Sequence, residues 1–247
     1  MTGRVTSIWR HPIKAHGREA LDRVTLQAGA CLPWDRAWAV AHELSEADGT
    51  DWVRCGNFSR GAKAPQLMAI SSTLDEGTGR ITLRHPDRPD LSFDPETEQA
   101  AFLDWVRPLM PADRAQSARL VRAQARGMTD APFASVTLCN MASHRAVEER
   151  MGQPLSIHRW RGNLWIEDLP AWAEFDWIGR EVQLGEAVLL VRERTGRCAA
   201  TTANPETGLR DADTLGTLKS WGHTDFSVQT EVIRGGTIAP GDKVTLL

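Results

Sequence analysis

The sequence has no tyrosine and no Cys-x-x-Cys pair among its 247 residues. Its four cysteines, Cys31, Cys55, Cys139 and Cys198, are widely scattered. That scatter argues against a structural zinc site and against a cysteine-ligated iron–sulfur cluster. The seven histidines show no His-Glu-x-x-His or comparable ligand spacing. No apolar run approaches the roughly 20 residues of a membrane span. The start, Met1-Thr2-Gly3-Arg4-Val5, lacks a signal core. With 25% charged residues and a net charge of −3, the footprint of a dedicated nucleic-acid binder is also missing. The expectation is a soluble, cytoplasmic protein whose thiols stay reduced. Ten tryptophans supply aromatic packing in place of tyrosine.

What is present is a series of short β patterns broken by Gly, Pro and Asp. Strands are predicted over 4–10, with Val5 and Ser7 on one face, and over 24–28, 37–42, 67–72 and 81–84. Asp94 predicts a helix cap, with Pro95 in the first turn and Glu96 and Glu98 near the positive end. Phe102, Trp105, Val106 and Leu109 continue it at helical spacing. A second helix is predicted over 141–151, capped by Asn140 and stopped by Gly152. A hairpin turning at Gly185-Glu186, a short helix over 211–221, a strand over 226–233 and a closing strand complete the pattern. The least patterned stretch, 123–134, divides the chain into 1–125 and 126–247. The fold class expected is α+β and β-rich, with sheet curled into barrels and a few short helices.

Five constellations offer chemistry. Lys14 follows a strand and a proline, so its ammonium leaves the strand end in a fixed direction. Arg36, flanked by Trp34 and Trp38, is placed to grip an anion with a planar fork. Around Arg54, three cations and two glycines fall between Trp52 and Lys63, a composition suited to an anion-binding loop. Arg161 and Asn163 would share one face of a strand-like segment. Lys14, the Arg54 loop and the Arg161–Asn163 pair also read as solvated surface, and Arg36 reads equally as part of a strand-end ion pair between Asp35 and a basic neighbour. The fifth is Arg197-Cys198 followed by Thr201-Thr202 and Asn204-Pro205-x-x-Gly208. A free cysteine is most often a small buried hydrophobe. Beside a cation it can instead be kept as a thiolate, a soft metal ligand.

Together these segments resemble the MOSC-domain proteins that carry a MOSC N-terminal β-barrel domain, and among them the amidoxime-reducing component family. Pro12-Ile13-Lys14, Asp35-Arg36, Val53-Arg54, Asn140-Met141-Ala142-Ser143, Arg161-Gly162-Asn163 and Arg197-Cys198 with Thr201-Thr202 are similar to the family's motifs in order. Ala15 and Asn140 stand where the family has serine. The resemblance implies a molybdenum cofactor, a pyranopterin whose phosphate would be held by Lys14 and Arg36. Arg54, Asn140, Ser143, Arg161 and Asn163 would contact the pterin beside Arg197, and Cys198 would be the protein ligand to molybdenum. A family-level association with pyridoxal phosphate binding comes with the resemblance as well.

The function this implies is an oxidoreductase that reduces N-hydroxylated substrates with electrons from a separate donor protein or reductase. The chain is expected to lack the ferredoxin-like tail of some relatives and any membrane anchor. An alternative is a non-catalytic cofactor-binding or sulfur-carrier protein. A third reading is a barrel protein in which Cys198 is merely packed.

Overall fold

The structure, a computed structural model, describes residues 2–247. The first half of the chain forms β1 (Thr2–Arg10), β2 (Glu19–Leu21), β3 (Val24–Leu26), β4 (Trp38–His42), β5 (Ser71–Leu74), β6 (Ile81–His85) and β7 (Arg88–Phe93). Helix α1 (Gln99–Val106) and β8 (Ser117–Arg122) close that half. The second half forms β9 (Val136–Asn140), α2 (Met141–Met151), β10 (Leu164–Glu167), β11 (Glu181–Leu184) and β12 (Ala187–Gly196). It ends with α3 (Thr214–Lys219), β13 (Asp225–Arg234), β14 (Gly236–Ile238) and β15 (Lys243–Leu246).

Seven strands close on themselves in the order β1-β10-β9-β13-β12-β11-β15 and back to β1. Closure leaves the ring no free edge. Only β9 and β10 run parallel, a pairing that the α2 crossover allows. Val5, Ile8, Leu138, Ile166, Val182, Leu189, Val228 and Val244 fill the interior. A bulge between Val5 and Ser7 shifts the alternation of β1, so Val5 and Ile8 face the core. That corrects the simple period that put Val5 and Ser7 on one face.

The other half packs around a second core of Ile13, Trp38, Val40, Leu67, Ile70, Phe93 and Phe102. It holds the β4–β8 pair, the β5-β6-β7 meander and α1. The two halves are interleaved in sequence, because β1 completes the barrel and β3 pairs with β14.

Helix α2 matches the sequence expectation at both ends. The Asn140 side chain accepts from the Ala142 amide at 2.9 Å, and Gly152 stops the helix in the left-handed region. Other elements differ. Asp94 organises a turn through the Glu96 amide and the Thr97 hydroxyl, and the helix starts only at Gln99. The segment 65–69 is a 3-10 turn with Pro65 at its first position, where the fixed φ suits a helical turn, and strand begins only at Ser71. The last helix is confined to Thr214–Lys219, capped by Asp213, and does not fill the expected 211–221.

Candidate active site

Where the barrel meets the other half, a pocket opens. Six basic side chains line it: Lys14, Arg36, Arg60, Arg159, Arg161 and Arg197. One carboxylate, Asp130, lines it with them. Cys198 is on the same wall, exposed, at the head of the 3-10 turn Ala199–Thr202.

Each cation is anchored before any ligand arrives. Lys14 is buried, and its Nζ donates to the Met128 carbonyl at 2.6 Å and to Asp130 Oδ1 at 2.5 Å. Burial pulls the Lys14 ammonium below its ordinary range, against the opposing pull of Asp130. Arg36 pairs with the fully buried Asp35 and also donates to the Arg161 carbonyl at 3.0 Å. Asp35 accepts from the His11 amide at 2.8 Å. Burial would raise the Asp35 carboxyl, but the Arg36 charge and the His11 hydrogen bonds hold it well below the usual range.

Arg197 has no carboxylate partner. Its guanidinium donates to the carbonyls of Trp160 and Phe226, both at 2.7 Å, and to Ser227 Oγ at 2.5 Å. Arg161 donates to the Gly17 carbonyl at 3.2 Å. Burial, with the charges of Arg36 and Arg18, lowers Arg161 to about 9. Cations held this close with so little counter-charge favour an anionic ligand. Backbone strain accompanies them. Ala15, Arg36 and Arg161 line the pocket with φ of 64°, 52° and 49°, a conformation non-glycine residues adopt at a cost of order 1–3 kcal/mol.

The structure therefore brings Lys14, Arg36, Arg161, Arg197 and Cys198 together from four separate segments. The remaining candidates lie elsewhere. Arg54 is exposed and outside the lining, although its neighbour Cys55 is in it. Asn140, the cap of α2, and Ser143, in its first turn, are buried, and both donate to Glu174, at 2.9 and 2.7 Å. Asn163 is a buried stitch, accepting from the Thr137 amide at 3.1 Å and donating to the Trp9 carbonyl at 3.1 Å. Nor do Arg161 and Asn163 share a strand face: Arg161 ends a 3-10 turn in the left-handed region, and β10 begins at Leu164.

Several pocket residues had no distinct signal in the sequence. Cys55 faces the pocket and accepts from Arg60 Nη1 at 3.1 Å. Thr137 and Gln229, cross-strand partners on β9 and β13, form part of its wall. The other two thiols are set apart. Cys139 is fully buried and pushed up to about 12 by that burial, and burial also raises Cys31.

Residues 2–131 match the model of the MOSC N-terminal beta barrel domain, and residues 126–245 match that of the MOSC domain. The chain belongs to the MOSC family. This puts the MOSC protein described here in a molybdenum-cofactor-related enzyme family. It is 25% identical to mitochondrial amidoxime-reducing component 1 of Danio rerio, over 94% of this chain and 79% of that one. It is 24% identical to the Mus musculus protein of the same name, over 99% of this chain and 82% of the relative. Among solved structures it is similar to the YUAD protein from Bacillus subtilis. That likeness has a TM-score of 0.45 at 10% identity, covering 99% of this chain and 94% of the other. No helix of the MOSC protein is long and apolar enough to cross a membrane, among the described residues.

Proposed function

We propose that this MOSC protein is a molybdenum-cofactor-dependent oxidoreductase that reduces N-hydroxylated substrates with electrons from a separate redox protein. The observation that carries the reading is one pocket lined by both an exposed thiol, Cys198, and six basic side chains, of which Arg60, Arg161 and Arg197 have no carboxylate partner among the described residues. A soft sulfur donor beside hard anion-binding groups fits a metal delivered on a phosphate-bearing organic ligand. Lys14, Arg36 and Arg161 would hold the anionic part, and Cys198 would supply the protein's thiolate. When bound, the cofactor supplies the two-electron redox chemistry. The chain's own part is to orient, to neutralise charge and to limit water at the reacting end. Overall, each N–O bond reduced takes up two electrons and two protons and releases water.

Arg197 suits this arrangement because its guanidinium lies directly before Cys198 in sequence and is fixed by three hydrogen-bond acceptors. A fixed cation there adds to the positive field of the pocket. Pyridoxal phosphate is the weaker fit, since Lys14, the lysine of the pocket wall, is already engaged by Met128 and Asp130. The same proposal includes the division into 1–125 and 126–247, with β1 contributed across it, and a cytoplasmic setting that keeps the thiols reduced.

The test is expression in a host that makes the cofactor, followed by molybdenum and pterin quantification and an assay with reduced viologen. Stoichiometric metal in the wild type and turnover of an amidoxime or hydroxylamine are expected. Absence of metal from the wild type sinks the reading. Bound cofactor without turnover would favour the carrier alternative.

A further inference from the structure

The Asn204-Pro205-Glu206-Thr207-Gly208 segment lies outside the pocket, yet it follows Cys198 closely and folds tightly. The Gly208 amide donates to the Asn204 carbonyl at 2.8 Å, and the Asn204 amide donates to the Leu209 carbonyl at 2.7 Å. Gly208 is left-handed, with φ of 70°, and a Cβ there would fall 2.7 Å from Gln66 Cα. Glycine thus lets the turn press against the 3-10 turn Pro65–Ala69. Arg18 holds the turn from the same side, donating to the Pro205 carbonyl at 3.1 Å.

The chain leaves this turn at Arg210, which has no carboxylate partner among the described residues. Its Nη1 donates to the Ala199 carbonyl and, at 2.5 Å, to Thr202 Oγ1. Its Nη2 crosses to the Ala62 carbonyl at 2.9 Å. Ala199 and Thr202 bound the turn that Cys198 heads, while Ala62 belongs to a separate segment that also lines the pocket. One guanidinium therefore ties the thiol-bearing turn to the Ala62 segment. A planar fork can span acceptors on two segments, which a lysine ammonium on its single point cannot do with the same geometry.

We propose that Arg210 is a positioning residue for Cys198, and that the Asn-Pro-x-x-Gly turn serves to deliver it. The clamp sets the direction in which the Cys198 thiol enters the pocket and the width of the opening beside it. Its consequence for catalysis rests on the proposed role of Cys198, but its effect on the thiol does not.

The decisive measurement uses the cofactor-free full chain. Iodoacetamide alkylation of Cys198, followed by peptide mass spectrometry, is compared among wild type, Arg210→Ala and Arg210→Lys. Released from the clamp, Cys198 in Arg210→Ala is expected to react several-fold faster, while alkylation of Cys55 changes little. Arg210→Lys should fall between the two, and it supplies the comparison if the alanine variant folds poorly. In cofactor-loaded protein, Arg210→Ala should lower kcat about tenfold or more with a smaller change in KM, as expected for a misplaced reacting group. Equal Cys198 alkylation rates in wild type and both folded variants would overturn the proposal. So would equal acceleration at Cys55 and Cys198, which would mean general loosening. Faster Cys198 alkylation without any enzymatic turnover in the wild type would uphold the clamp and count against the proposed activity instead.

Discussion

The Arg36 side chain donates to the backbone carbonyl of Arg161 at 3.0 Å, and both residues hold a left-handed backbone. One pocket cation thus fixes the main chain of another, 125 positions away in sequence. The strain at the two positions is sustained by the ion pair beneath Arg36 and the packed 3-10 turn that ends at Arg161.

Removing Arg36 should therefore be costly. Arg36→Ala leaves the Asp35 carboxylate buried without its guanidinium, a loss of about 3–5 kcal/mol. Urea denaturation would measure it. Arg36→Ala combined with Asp35→Asn should recover part of that loss, since the uncompensated charge is gone.

Cys198 behaves in the opposite way. Its side chain is exposed, so Cys198→Ser should alter stability by no more than about 0.5 kcal/mol. Metal content and N–O reduction should nonetheless fall to background. A thermal melt run beside metal analysis separates the two effects.

Gly162 reports on packing behind the pocket. A Cβ at this position would fall 2.1 Å from Cys139 Sγ, in the fully buried core. Gly162→Ala should destabilise by about 1–3 kcal/mol through overpacking. It should also disturb Arg161, its neighbour in sequence, and so weaken the binding of inorganic phosphate as measured by calorimetry.

Acid should weaken the fold before it titrates the carboxylates. His16 is fully buried, with Nδ1 at 2.8 Å from the Lys14 carbonyl, and burial lowers it from 6.5 to about 4. His158 is lowered to about 4 as well, through burial and then the charges of Arg18 and Arg161. An unfolded histidine takes its proton near 6.5, whereas these folded ones resist it until about 4. Stability is thus complete above 6.5 and declines as pH falls toward 4. His16 alone accounts for on the order of 3 kcal/mol of that decline. Denaturant midpoints between pH 7 and 4 would show the slope, and His16→Gln should flatten it.

Much of the architecture was readable from local pattern. Asn140 and Gly152 marked both ends of α2, and Gly185-Glu186 marked the β11–β12 hairpin, because caps and tight turns are decided within a few residues. Asp94 misled, since a capping side chain serves an isolated turn as well as a helix, and α1 waits until Gln99. Asn140 and Ser143 matched family motifs, yet in this fold both turn to Glu174, a partner 34 and 31 positions away. Nothing local to either residue signals that choice.

By itself, the sequence determined the β-rich class, the capped helix and the short inventory of reactive side chains, with Cys198 prominent among them. These follow from periodicity, turn chemistry and residue type, which act over a few positions. Only the tertiary structure decided which of those side chains meet. Closing seven strands with β1 from the far end of the chain brings Lys14, Arg36 and Arg161 to the wall that carries Cys198. It also gives Arg210 carbonyls on two segments to clamp. Burial then supplies what sequence spacing cannot, since desolvation and neighbouring charge depend on distances fixed only when the barrel closes.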